Sequence, residues 1–291
     1  MEPRACLGPR PPAAPRRKPP PGAWDTHFHV LGPQARFPYA ASRRYTPPDA
    51  PLERLLETHR ALGIERGLVV HANTHGFDNR VDLDAVARSQ GRYFAVVRLD
   101  ERCTAAGAAE LHAAGARGVR FAFNPEHGGS LDKAAFERVL EAVAPLGWFV
   151  ELHFEAEALP GLESWLKAIP AVVVIDHIGR VDAGQGVDQE PFRILRELMK
   201  RPNFWVKLSG LDRISRRPFP YDDVAPFAAA LVEIAADRLI WGSDWPHTGV
   251  FDPARMPDDA SLLDAFAALV PDDAIRRRIL VDNPRRLLGL A

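Results

Sequence analysis

Two histidines stand one residue apart at His27 and His29, inside the run Trp24-Asp-Thr-His-Phe-His. Residues i and i+2 of a β-strand share a face, so in a strand both imidazoles point the same way. That separation suits one divalent ion or one polarised oxygen. Taken alone such a pair is as often packing as chemistry. It gains weight from His153 at the end of Trp148-Phe-Val-Glu-Leu-His, His177 after Val172-Val-Val-Ile-Asp, and Asp244 in Trp241-Gly-Ser-Asp-Trp-Pro-His247. Each follows an apolar or β-branched run. Asp244 could equally serve as a turn or helix-capping residue, but Trp241 and Trp245 on either side would desolvate it. A carboxylate among several imidazoles is equipment for general acid–base catalysis.

What must position these residues is legible in the repeating pattern. Strands are expected at 24–28, 67–71, 93–98, 117–121, 148–153, 172–176, 204–209 and 238–242, with helices at 51–62, 81–90, 104–114, 131–145, 157–168, 190–200, 222–236 and 272–280. Runs such as Val172-Val-Val-Ile175 lack alternation, as strands covered on both faces do. Eight such units predict an α/β fold, a closed (β/α)8 TIM barrel over 23–291; no glycine-rich phosphate turn follows the first strand to support an open doubly wound sheet. Barrel enzymes carry their chemistry at the C-terminal ends of the strands. Of the ten histidines, His27, His29, His71, His75, His127, His153, His177 and His247 fall on that rim, and His59 and His112 fall in helices.

Composition narrows the partners. Thirty-seven Lys and Arg against 38 Asp and Glu leave a net charge of −1, which recruits neither nucleic acid nor anionic lipid. No apolar run is long enough to span a membrane. Two cysteines exclude a disulfide scaffold and a thiolate cluster. The expected setting is the cytoplasm, the expected partner a small anionic molecule, and nothing in the sequence fixes an oligomeric state. Residues 1–22 hold eight prolines and five basic residues, and read as a disordered or surface-draped arm.

Three motifs, Trp24-Asp-Thr-His-Phe-His29, Val174-Ile-Asp-His-Ile-Gly-Arg180 and Trp241-Gly-Ser-Asp-Trp-Pro-His247, together resemble the amidohydrolase superfamily, in its amidohydrolase-2 branch. The resemblance runs from Pro21 to the end, through Arg117-Gly-Val-Arg120 and Asn283-Pro-Arg-Arg-Leu287. It implies a barrel hydrolase that opens a lactone. Asp244 would be general base toward water, and His27, His29 and His177 would polarise the ester carbonyl without a metal. Arg120, Arg213 and Tyr45 would surround the substrate's anionic groups. Asn73, His153, Arg180 and His247 complete the expected substrate contacts.

Two departures from the lactonases of that branch bear on chemistry. They carry a tyrosine where this chain has His153, whereas metal-bearing relatives carry a histidine there. His27, His29, His153 and Asp244 would then form a three-nitrogen, one-oxygen set suited to a single Zn²⁺ or Mn²⁺, so a metal-dependent and a metal-free site both stand as expectations. The loop Asn124-Pro-Glu-His-Gly-Gly129 also lacks a basic residue that the lactonases use to hold a dicarboxylate. Arg180 could be a structural partner of nearby carboxylates. A binuclear site is disfavoured, since Arg120 occupies the strand that would supply a bridging lysine. The rival readings are a metal-dependent decarboxylase of the same branch and a catalytically silent binding protein.

Overall fold

A computed structural model describes residues 3–123 and 132–290. Its centre is one sheet of eight parallel strands that follow one another in chain order: β1 (Trp24–Phe28), β2 (Arg66–Val70), β3 (Tyr93–Val97), β4 (Ala116–Ala122), β5 (Phe149–His153), β6 (Val173–Ile175), β7 (Phe204–Lys207) and β8 (Leu239–Ile240). The apolar runs form these strands because both faces are covered: Val173, Val174 and Ile175 are all without exposure. Around them lie α1 (Leu52–Leu62), α2 (Arg80–Arg88), α3 (Ala105–Ala113), α4 (Lys133–Val143), α5 (Leu159–Ala168), α6 (Glu190–Met199), α7 (Ala225–Ala235) and α8 (Asp259–Leu269). The fold is the expected TIM barrel.

The last helix differs from expectation. Residues 272–280 form the short helix Asp273–Arg277 followed by a wider turn over Arg278–Asp282, and the helix after β8 is α8. Asp258 caps it by accepting the Ser261 N–H at 2.8 Å. Its sequence lacks an amphipathic stripe because Ala260, Leu262, Leu263, Ala265, Phe266 and Ala267 are all buried.

Because β8 is so short, backbone bonds around it and a buried side chain complete the closure of the barrel. The Thr26 N–H donates to the Trp241 carbonyl at 2.9 Å, and Phe28 bridges Trp245 in parallel. Between them lies a buried latch. Asp25 Oδ1 accepts the N–H groups of His27 and Ser243, each at 3.0 Å, while Oδ2 accepts the Ser243 hydroxyl and lies 3.3 Å from His59 Nε2. One carboxylate thus fixes the segments that carry His27 and Asp244.

Residues of the amino-terminal arm lie against the barrel. Arg4–Ala5 pairs in parallel with Tyr45–Thr46, and the Leu7 N–H donates to the Val250 carbonyl at 2.9 Å. The N–H groups of Arg16 and Arg17 donate to Asp264. Among the described residues no helix is long and apolar enough to cross a membrane.

The latch makes a measurable claim. Ser243→Ala removes a buried donor to Asp25, and is expected to lower stability in urea unfolding by about 1–3 kcal/mol. A change under about 0.5 kcal/mol, that of an ordinary surface substitution, would show that closure does not depend on it.

Candidate active site

At the C-terminal ends of the strands lies a cavity walled by His29, Tyr45, Asn73, Arg120, His153, His177, Arg180, Arg213, Asp244 and Thr248. Ala72 also lines it, and all of these but Ala72 and Thr248 stand among the candidates read from the sequence. His27 lies beneath the wall, fully buried. His247 does not line the cavity: it is fully buried, with Nε2 3.0 Å from the Asp259 carboxylate at the start of α8, so its expected substrate contact gives way to a structural one. His71 is likewise held, between Asp82 at 2.7 Å and the Gly76 carbonyl at 2.9 Å. The expectations for His127 and for the loop 124–129 lie outside the described residues.

Asp244 is the centre of the constellation. The short β8 ends before it, and its backbone takes a positive φ of 63°, anchored by its N–H on the His27 carbonyl at 2.8 Å. His177, just beyond β6, also has a positive φ, of 51°. Left-handed backbone at residues with side chains is a cost that surrounding structure must sustain, and it concentrates at functional sites. Gly210 adjoins His177 so closely that a Cβ there would meet the His177 Cβ at 2.9 Å.

The two oxygens of Asp244 are used differently. Oδ2 accepts from Arg213 Nε at 2.7 Å. Oδ1 faces His29 Nε2 at 3.5 Å, His27 Nε2 at 3.7 Å and His177 Nε2 at 4.0 Å. Burial pushes this carboxyl up, but the Arg213 guanidinium and the surrounding imidazoles outweigh it and hold the group well below the usual carboxylate range. Burial pulls His177 down to about 4 against the opposing pull of Asp244 and Asp176. Burial likewise holds His27 and His153 well below the ordinary histidine value, helped by Lys207 for the first and Arg120 for the second. At neutral pH His27, His153 and His177 are therefore neutral beside an anionic Asp244.

The arginines are more committed than the sequence suggested. Arg213 Nη2 also donates to the Thr248 carbonyl at 3.2 Å. Arg120 donates to the His71 carbonyl at 3.1 Å and to Asp176 Oδ2 at 3.2 Å, so the guanidinium expected to clamp substrate is also spent on the floor. Arg180 pairs with Glu155 at 3.2 Å on the half-buried wall. Tyr45 donates its hydroxyl to Thr248 at 2.9 Å.

Sequence reading missed the floor itself. Lys207 Nζ meets the carboxylate of Glu151, lies 3.3 Å from Asp176 Oδ1, and is 2.9 Å from His27 Nδ1. All four side chains are without exposure. The available signal was a charged residue inside an otherwise apolar parallel strand, in Phe149-Val-Glu-Leu-His153 and Phe204-Trp-Val-Lys207, because a buried charge requires a partner.

These donor types can hold a divalent ion, and ligand atoms of His27, His177 and Asp244 gather within 4.8 Å of one another. The set expected from the sequence does not gather in this way: His153 packs edge-on against His177, with ring centroids 5.6 Å apart, and His177 takes its place. The fit of any ion turns on His27. Its Nδ1 lies 2.9 Å from Lys207 Nζ and 3.2 Å from Asp176 Oδ1, and only the tautomer with hydrogen on Nδ1 offers Nε2 to an ion.

The barrel and this strand-end site define a member of a known class. The chain belongs to the amidohydrolase family whose model matches residues 24–290. It is 53% identical to a 4-sulfomuconolactone hydrolase of Rhizobium radiobacter, over 98% of this chain and 96% of that one. It is 40% identical to a 2-pyrone-4,6-dicarboxylate hydrolase of Comamonas testosteroni, over 95% and 93%. An apo crystal structure from Agrobacterium tumefaciens superposes with a TM-score of 0.85 at 33% identity, covering 96% of this chain and 99% of that one.

The shifted ionisations set a pH profile. Asp244 stays anionic and His177 neutral as the pH falls from 8 toward 5, and His177 takes up its proton near pH 4. The acid limb of kcat/KM is therefore expected near pH 4. A limb near the ordinary histidine value of about 6.5 would show that these imidazoles are not held neutral.

Proposed function

We propose that this protein hydrolyses a lactone carrying acidic groups, of the sulfonated muconolactone or pyrone dicarboxylate kind. The observation that carries the reading is Asp244: a carboxylate kept anionic, with Oδ2 tied to Arg213 and Oδ1 turned to three imidazoles. Water beside Oδ1 loses a proton to Asp244 as its oxygen adds to the lactone carbonyl carbon. The carbonyl oxygen gathers negative charge, and imidazole N–H groups in a dry site are suited to receive it. Collapse of the adduct breaks the acyl–oxygen bond, and the ring oxygen leaves with the proton that Asp244 took from water, giving the ring-opened hydroxy or oxo acid. No step needs an oxidant or a second substrate.

Arg180 and Arg213 support an anionic substrate, since both wall the cavity and also line the hollow beside it, together with Arg255. Guanidinium groups match carboxylate and sulfonate oxygens by charge and by their paired donors. The hydrolase names of the two relatives favour addition of water over decarboxylation.

Two substitutions test this. Asp244→Asn is expected to lower kcat by about 10²–10⁴ with an unchanged circular dichroism spectrum; near-normal turnover would remove the assignment of the base. Arg180→Met is expected to raise KM about 10- to 100-fold for an acidic lactone while leaving a neutral lactone little affected. Equal losses on both substrates would make Arg180 a structural partner of Glu155.

A further inference from the structure

The two histidines of the His27-Phe-His29 motif are not chemically equivalent, and the reason lies beneath them. His29 Nδ1 is 2.7 Å from the Val70 carbonyl oxygen. A carbonyl only accepts, so Nδ1 carries a hydrogen, and in a neutral imidazole of that tautomer Nε2, which faces Asp244 Oδ1 at 3.5 Å, is the lone-pair nitrogen. His27 is held the opposite way. Its Nδ1 is 2.9 Å from Lys207 Nζ, and an ammonium has three donors and no lone pair. Lys207 also pairs with Glu151 Oε2, and Asp176 Oδ1 lies 3.3 Å from Nζ and 3.2 Å from His27 Nδ1. With an ammonium hydrogen directed at it from the shorter distance, His27 Nδ1 accepts, which leaves the hydrogen on Nε2.

That hydrogen has no partner. His27 Nε2 is fully buried and makes no hydrogen bond among the described residues. Its nearest acidic oxygen there, Asp244 Oδ1, lies 3.7 Å away, beyond hydrogen-bond length. A buried, unsatisfied N–H beside a general base is costly unless a ligand atom completes it.

The charge balance of the floor explains why Lys207 stays in place. His27, Glu151 and Lys207 come from the odd strands β1, β5 and β7, the set that fills one layer of such a barrel. Arg120 from β4 and Asp176 at the end of β6 join them, with Arg120 Nε 3.5 Å from Glu151 and Nη2 3.2 Å from Asp176. Two cations thus face two acids, away from water. Neither cation can leave without stranding a charge.

We propose that Lys207 is a positioning residue that fixes His27 as the Nε2–H tautomer, so that the His27–His29 pair works as one donor and one acceptor. His27 gives its N–H to the substrate carbonyl as negative charge builds there. His29 and Asp244 both accept, and orient the attacking water between its two hydrogens. This use of the proton rests on the lactonase reading; the tautomer itself does not. The arrangement also disfavours a divalent ion, because a ligating imidazole needs the lone pair that Lys207 removes from Nε2.

The tautomers can be read directly by long-range ¹H–¹⁵N NMR on the full-length, ligand-free protein labelled with ¹⁵N-histidine, with His27 assigned by its loss in His27→Gln. His27 is expected neutral with hydrogen on Nε2, and His29 with hydrogen on Nδ1. Hydrogen on His27 Nδ1 overturns the proposal, whatever the protein hydrolyses; a correct tautomer with no lactone turnover overturns the lactonase reading and leaves the proposal intact. A second measurement uses Lys207→Met combined with Glu151→Leu, which removes one charge of each sign. There His27 is expected to turn its Nδ1–H to Asp176, now 3.2 Å away. With its donor lost, kcat is expected to fall about 10²-fold with little change in KM, and Mn²⁺ or Zn²⁺ affinity is expected to rise at least about tenfold, the equivalent of one modest ligand contact. Unchanged kcat and unchanged ion affinity in a folded variant overturn the proposal. If that variant does not fold, the tautomer in the unmodified protein decides alone.

Discussion

Barrel closure is the constraint on which the candidate site depends. An eight-stranded parallel sheet is useful as a scaffold only if its first and last strands hold together, and here the last regular strand is Leu239–Ile240. Asp25 reinforces the few backbone bonds that cross the seam, by accepting from both sides of it. The seam is also where His27 and Asp244 meet, through the Asp244 N–H and the His27 carbonyl. The distance between base and imidazole is therefore set by the same bonds that close the sheet, and the site inherits the rigidity of the closure.

Electrostatics divides the interior into two tiers. The lower tier is a balanced cluster of Lys207, Arg120, Glu151 and Asp176, and burial together with the charge of Asp176 raises Glu151 to about 7. The upper tier holds Asp244 with Arg213 on one oxygen and three imidazoles near the other. His27 touches both tiers, one ring nitrogen in each. A substrate arriving from above meets groups whose orientation is already decided from below, as preorganised catalysis requires.

Much of this was legible in the sequence, for identifiable reasons. Strands covered on both faces announce themselves as apolar runs, so all eight were located to within about two residues. Rim histidines were recognisable because each follows such a run. Helix α8 was missed because burial on all sides erases the 3.6-residue stripe that marks a surface helix. His247 looked like its neighbours on the rim, and only Asp259, twelve residues on, takes its ring out of the cavity wall. Arg120 and Arg213 were legible as rim cations, but their existing partners, Asp176 and Asp244, come from other strand ends. Such pairings are set by three-dimensional register, which local sequence does not encode.

Gly242 draws these threads toward the history open to such a protein. A Cβ placed there would lie 2.4 Å from the Cβ of His27 and 2.7 Å from its backbone nitrogen, so no side chain can be introduced without moving the strand that carries the histidine pair. The floor is in this sense closed to mutational exploration. Thr248, Arg180 and Arg255 line the cavity and the hollow beside it instead, at the rim. Divergence toward new substrates in a barrel of this build has to proceed from the rim inward, with the inherited proton chemistry carried along unchanged.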